Sequence, residues 1–138
     1  MTPLYFELHR LMCAPFEWGR SDCMTALADW ILRVRGVDPL ATVRLTYQSA
    51  SEAERLYGWL SRPVQSVDHY FVPCGLGMTA APVRGDVGIV QVRGGGHAVG
   101  GICLGENWAF RSEDRGVVTV KPKFVSVLGA WEVGYVDP

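Results

Sequence analysis

Residues 15–36 read PFEWGRSDCMTALADWILRVRG, and their pattern decides the fold. Asp22 and Ser21 are both residue types that cap a helix N-terminus, and Gly36 suits the left-handed C-cap. Between them Met24, Leu27, Ala28 and Ile31 repeat at helical spacing, which predicts a helix from residue 21 or 22 to 35. Cys23 then falls in the first turn. A thiol there faces unpaired N–H groups and the positive end of the helix dipole, both of which favour thiolate. Phe16 and Trp18 can wall a cleft beside it, and Gly19 permits a tight turn. The same residues also describe a capped helix with a buried cysteine and aromatic packing beneath it.

Working outward, Thr2-Pro3 supplies an N-cap and first helical residue, with Leu4, Leu8, Leu11 and Met12 as an apolar stripe. A helix over residues 3–13 follows, stopped by Pro15. Downstream of a turn at 36–39, a third helix starts at Ser49 or Ser51. Each has a glutamate three residues on, Glu52 or Glu54, and the helix is expected to end near residue 60. Residues 61–84 hold three prolines and two glycines, which predicts a long connection with one short helix around 64–71. Near residue 80 the periodicity changes to short β-branched runs between glycine turns. Strands are expected at 86–92, 97–104, 108–111, 117–120 and 130–136. The fold class is α+β: a helical half, about 1–80, packed on a small antiparallel five-stranded sheet or half-barrel, about 81–138.

The 138 residues suit one domain, 1–138, with a real core. A formal net charge of -1 gives no electrostatic case for nucleic acid as a partner. Glu7, His9 and Arg10 interrupt the N-terminal stretch, so no signal peptide is expected, and no run suits a membrane span. Synthesis in the cytoplasm follows as the expectation. Cys13, Cys23, Cys74 and Cys103 form no CxxC pair, which argues against zinc, and no cofactor motif is present. A metal or iron–sulfur site shared by Cys13, Cys74 or Cys103 with partner chains has no support in the spacing.

A cysteine nucleophile needs a base, and imidazole titrates in the right range. His9 sits mid-helix as a surface residue, and His69 lies in the irregular connection. His97 follows Gly94-Gly95-Gly96 at the start of a predicted strand. Alternation puts His97, Val99, Gly101 and Cys103 on one face. The strand's glycines predict a close neighbour, for which the helix bearing Cys23 is the candidate. A polar residue ending a hairpin also describes His97, and a lone histidine there is more often that than a base.

WGRSDC (18–23) together with RGDVGIVQVRGGGHAVGGICLGE (84–106) resembles the NlpC-type papain-like cell-wall peptidases. That family places Asp-Cys at a helix start behind an aromatic-Gly element. A Gly-Asp step into the first strand follows, here Gly85-Asp86, and a histidine opens the next strand before an apolar-Gly turn, here Leu104-Gly105. APFEWGRSDC, the following ADW helix, Gly-Val-Asp-Pro and the late RGD strand also resemble small NlpC-like proteins of phage and prophage tail gene clusters.

The resemblance implies a papain-like fold with Cys23 as nucleophile, Asp22 as its structural or capping neighbour and His97 as base. Trp18 is the aromatic beside the site. The family's imidazole-orienting residue falls near Arg111, with Ser112 and Glu113 adjacent. Arginine is a poor orienter, since it accepts no hydrogen bond and repels an imidazolium. Counting back from Leu104-Gly105, the family's histidine position holds Val99, so His97 stands two residues early, a shift of roughly 6–7 Å along a strand. Met24-Thr25 replaces the small residues that usually follow the nucleophile.

The implied activity is hydrolysis of peptide or amide bonds in peptidoglycan as a phage enters its host. The virion would be the location, and other tail-tip or baseplate proteins the partners. The alternative is a structural tail-tip or baseplate subunit that keeps the fold without an effective base.

Overall fold

The computed structural model describes residues 1–138. Helix α1 (Pro3–Cys13) starts at Thr2, whose hydroxyl accepts from the Tyr5 N–H at 3.3 Å. Its buried face is Leu4, Glu7, Leu8 and Leu11. Met12, expected on that stripe, is 59% exposed, because the i, i+3, i+4, i+7 row passes through residue 7 instead. Glu7 can occupy that row because Arg10 and Arg33 reach its carboxylate.

Helix α2 (Cys23–Arg35) ends where expected and starts one to two residues later, with Asp22 rather than Ser21 as N-cap and Gly36 at φ 75° as C-cap. Helix α3 (Ala50–Tyr57) is capped by Ser49 and closes earlier than expected, at the left-handed Gly58. Helix α4 (Pro63–Phe71) fills much of the 61–84 connection and runs into a 3₁₀ turn, Val72–Cys74. No helix is long and apolar enough to cross a membrane.

The strands are β1 (Val87–Val92), β2 (Val99–Cys103), β3 (Trp108–Arg111), β4 (Val117–Val120) and β5 (Val125–Trp131). They form one antiparallel sheet in the order β4-β3-β2-β1-β5. The architecture is therefore α+β, with four helices and five antiparallel strands. The sheet is open, with β4 and β5 as its edges, and is not a closed barrel.

Two strands differ from the sequence expectation. The last, expected at 130–136, runs Val125–Trp131 and pairs with β1 from Val92↔Val125 to Val87↔Trp131. Beyond Trp131 the chain leaves the ladder: the Val133 N–H donates to the Asp86 carboxylate, and Gly134 takes φ 81°. The second strand starts at Val99, not at residue 97, since Gly96 and His97 form a bend.

Helix α2 lies across β2. A Cβ on Gly100 would come within 2.9 Å of Leu27 Cδ1 and 3.1 Å of the Cys23 carbonyl oxygen. Only glycine allows helix and strand this close. The predicted close approach of the Cys23 helix is thus present, at Gly100. Gly101 faces Trp108 on the other side of the sheet, where Val90, Cys103 and Ala130 also pack. On the helix side Leu27, Trp30 and Ile31 join Val87, Ile89 and Ile102 in the main core. Two indole N–H groups pin the layers: Trp30 to the Gly85 carbonyl at 2.8 Å, and Trp131 to Asp68 at 2.9 Å. The result holds the first turn of α2 against the beginning of β2.

Candidate active site

A cleft of about 270 Å³ opens where the start of α2, the bend before β2 and the end of β3 meet. Cys23, His97, Asp22, Trp18, Arg111 and Ser112 all line it, so the fold brings every candidate site residue to one place. A wider depression of about 740 Å³ adjoins it and shares Phe16, Trp18 and Glu113, but contains neither Cys23 nor His97.

The nucleophile end is built by the loop before α2. Gly19 is buried at φ 83°, and a Cβ there would sit 2.4 Å from the Tyr47 carbonyl oxygen. The glycine lets residues 17–22 turn tightly against the 43–47 segment, where the Leu45 N–H donates to the Gly19 carbonyl at 3.0 Å. Asp22 is 1% exposed, and five donors converge on its carboxylate, the Thr25 hydroxyl at 3.2 Å among them. The N–H groups of Met24 and Thr25 reach one oxygen at 2.9 Å. The Gly19 N–H, at 2.8 Å, and the Tyr47 hydroxyl reach the other. Thr25 Oγ1 accepts from the Asp22 N–H at 2.9 Å, completing a reciprocal cap. Asp22 is thus a structural acid, as the resemblance implies, and Tyr47 is the partner that sequence reasoning missed. Nothing local in the sequence marks Tyr47, because its contact with Asp22 spans the 36–46 turns.

Cys23 is half-buried at the first position of α2. Since Asp22 engages the next two N–H groups, the Cys23 N–H is left without a carbonyl partner, as an oxyanion donor needs. The thiol itself is pushed up to about 12, first by burial and then by the neighbouring Asp22 charge. The N–H groups of Gly100, Cys23 and Met24 act in the opposite direction and are outweighed. The expected thiolate at the helix start is therefore not the resting form: the helix terminus acts as anticipated, but desolvation is larger.

Two consequences follow. Alkylation of Cys23 by iodoacetamide, followed by peptide mass spectrometry to separate it from the other cysteines, should accelerate continuously through about pH 10. A plateau near neutral pH would contradict this. The raised value also means the folded state keeps the proton longer than the unfolded chain. The stability this contributes is complete below about pH 8.5, the ordinary thiol value, and is lost as pH rises towards 12. Tyr47, raised by burial and by Asp22, acts with the same sign.

His97 is exposed on the bend ahead of β2, and no side chain hydrogen-bonds its imidazole. The strand-face assignment of His97 with Val99 does not apply there, because alternation starts only at Val99. His9 and His69 are exposed on α1 and at the end of α4, away from the cleft.

Arg111 does not orient the imidazole. It is 6% exposed, donates through Nη2 to the Ala14 carbonyl, and lies 5.9 Å from the centre of the Phe16 ring. Ser112, 8% exposed, accepts from the Arg115 N–H at 2.8 Å and donates to Asp114 at 3.3 Å, so it shapes the 112–116 turn. Trp18 stacks edge-on against Phe16 with ring centres 5.0 Å apart, the aromatic wall expected from residues 15–19. Trp59, Phe110 and Glu113 add to the lining. Trp59 and Phe110 carry no sequence signal beyond their apolarity.

No curated protein sequence and no solved structure matches the chain. One family profile does, over residues 3–133, which includes the whole cleft. With that span the chain belongs to the family described as domain of unknown function DUF6950.

Proposed function

We propose that the protein is an NlpC-like, papain-type cysteine hydrolase that cuts peptide or amide bonds of peptidoglycan. The observation that carries this is the cleft shared by Cys23 and His97, with Cys23 on the first turn of a helix capped by Asp22 and laid across the sheet at Gly100. In this reading His97 takes the thiol proton as Cys23 attacks the amide carbon. The Cys23 N–H holds the developing oxyanion, and His97 returns the proton to the leaving amine. Water then releases the acyl group from sulfur. Because the resting group is a thiol, proton transfer must accompany attack rather than precede it. A substrate that fills the cleft excludes water and brings the exposed imidazole to the sulfur. The order of motifs along the chain supports a papain-like fold, and the phage-tail resemblance supports a virion component that opens the wall locally.

A second reading is favoured by three observations at the same site: the raised thiol, the imidazole without an orienting partner, and an Arg111 side chain bonded to the Ala14 carbonyl instead of to His97. Together they describe a tail-tip or baseplate subunit that keeps the fold without turnover.

Digestion of purified sacculi separates the two. Wild type is expected to release soluble fragments, and Cys23→Ala to lose about 10³-fold or more of that rate with its fold intact. Release from neither protein favours the structural subunit, and equal release from both removes Cys23 as the nucleophile.

A further inference from the structure

Across the whole chain, only two buried side-chain nitrogens or oxygens lack a hydrogen-bond partner: Nε of Arg111 and Nε1 of Trp59. Both residues line the cleft. Buried polar groups are nearly always paired, so two orphans at one site call for a cause. Both are donors, and neither can accept, so what would satisfy them is rich in acceptors.

The charge points the same way. The hydrogen bond from Arg111 to the Ala14 carbonyl uses Nη2 alone and brings no counter-charge. A guanidinium 6% exposed without an ion pair is costly to keep in a fold. The carboxylates around the cleft do not relieve it. Asp22 is occupied by the N–H groups of its own cap, by Gly19 and by Tyr47. Asp114 is exposed, bonded to Ser112 and paired with Arg115, and Glu113 is exposed. Phe16, 5.9 Å from the guanidinium, adds a flat apolar wall that fixes the fork. A planar fork with free N–H groups recognises a carboxylate better than any neutral group.

We propose that Arg111 is a substrate-binding residue that takes a carboxylate of an acidic peptide into the cleft, with the Trp59 indole as an added donor. This also accounts for an arginine where the resemblance leads one to expect an imidazole-orienting residue. The proposal rests on the hydrolase reading for the identity of the cleft as a substrate site, but binding itself requires no turnover.

The test is therefore made on Cys23→Ala protein, by calorimetric titration with N-acetyl-alanylglutamate and with its diamide. The acid is expected to bind about tenfold or more tightly than the diamide, with the preference shrinking as salt is raised. Adding Arg111→Gln should erase the preference, and Arg111→Lys should keep part of it. Melting curves of each variant show whether it is folded. If Arg111→Gln does not fold, Arg111→Lys and the salt series decide. Equal affinity for acid and diamide, no binding of either, or a preference that survives Arg111→Gln in folded protein would overturn the proposal. An acid preference in Cys23→Ala, together with a wild type that releases no fragments from sacculi, would sink the hydrolase reading and leave the carboxylate site standing.

Discussion

Replacing His97 with glutamine is expected to slow fragment release from sacculi by about 10²–10⁴-fold, the usual worth of a positioned general base. The melting temperature should stay within about 2 °C of wild type. The two halves of this expectation have separate origins. The kinetic half comes from the chemistry of the cleft. Cys23 rests as a thiol pushed up to about 12, so attack at neutral pH requires a proton acceptor, and His97 is the histidine that lines the cleft. The stability half comes from the surroundings of His97. Its side chain is exposed, lies on a bend beside Gly96, and makes no hydrogen bond that the fold would lose. A His97→Gln protein that melts normally and digests at the wild-type rate would remove His97 from the mechanism.

Asp22→Ala is expected to have the largest effect on stability, about 3–5 kcal/mol, seen as a fall in melting temperature of about 10 °C or more. An ordinary N-cap is worth about 1 kcal/mol. Asp22 does more than cap. Its loss strands the N–H groups of Gly19, Met24 and Thr25 and the Tyr47 hydroxyl, all without water to replace the carboxylate in a site 1% exposed. The loop bearing Phe16 and Trp18 and the segment bearing Tyr47 would both come loose from the first turn of α2. Asp22→Asn should cost less, because an amide oxygen still caps Met24 and Thr25 and its NH2 can donate to the Tyr47 oxygen, leaving only the Gly19 N–H without an acceptor. A loss of under about 1 kcal/mol for Asp22→Ala in chemical denaturation would show that the buried network carries little.

The sequence shows the helical half because its signals are local. Thr2-Pro3, Asp22 and Gly36 each act within one turn of the residues they cap, so α1 is legible to the residue and α2 to within two residues at its start. Strands β3 and β4 are legible for a similar reason, each being a short β-branched or aromatic run between turns. Strand β5 is not. Its first half is a sheet edge with Val127 and Leu128 43% and 50% exposed, and a bulge shifts the register after Ile89↔Gly129. The buried AWEV run then attracts the assignment too far along the chain. Glu7 on the buried face of α1 depends on Arg33 from α2, a partner no local pattern reveals.

In the site, Cys23, Asp22 and Trp18 are readable because one loop and one helix start carry them. The thiol's resting state is not, because the dipole is a property of the helix whereas desolvation depends on β2 packing over it at Gly100. Arg111 is readable as a position but not as a role. Its contacts with Ala14 and Phe16 join residues at opposite ends of the chain.

The most direct test of a working Cys23–His97 pair is fragment release measured side by side for wild type, Cys23→Ala, His97→Ala and the double variant, all confirmed folded by their melting curves. Groups that act as one unit are not additive: once the nucleophile is gone, removing the base costs nothing further. Release from wild type, a large loss in each single variant, and a double variant no slower than Cys23→Ala are expected of a working pair. Wild-type release by Cys23→Ala, or losses that multiply in the double variant, would contradict it.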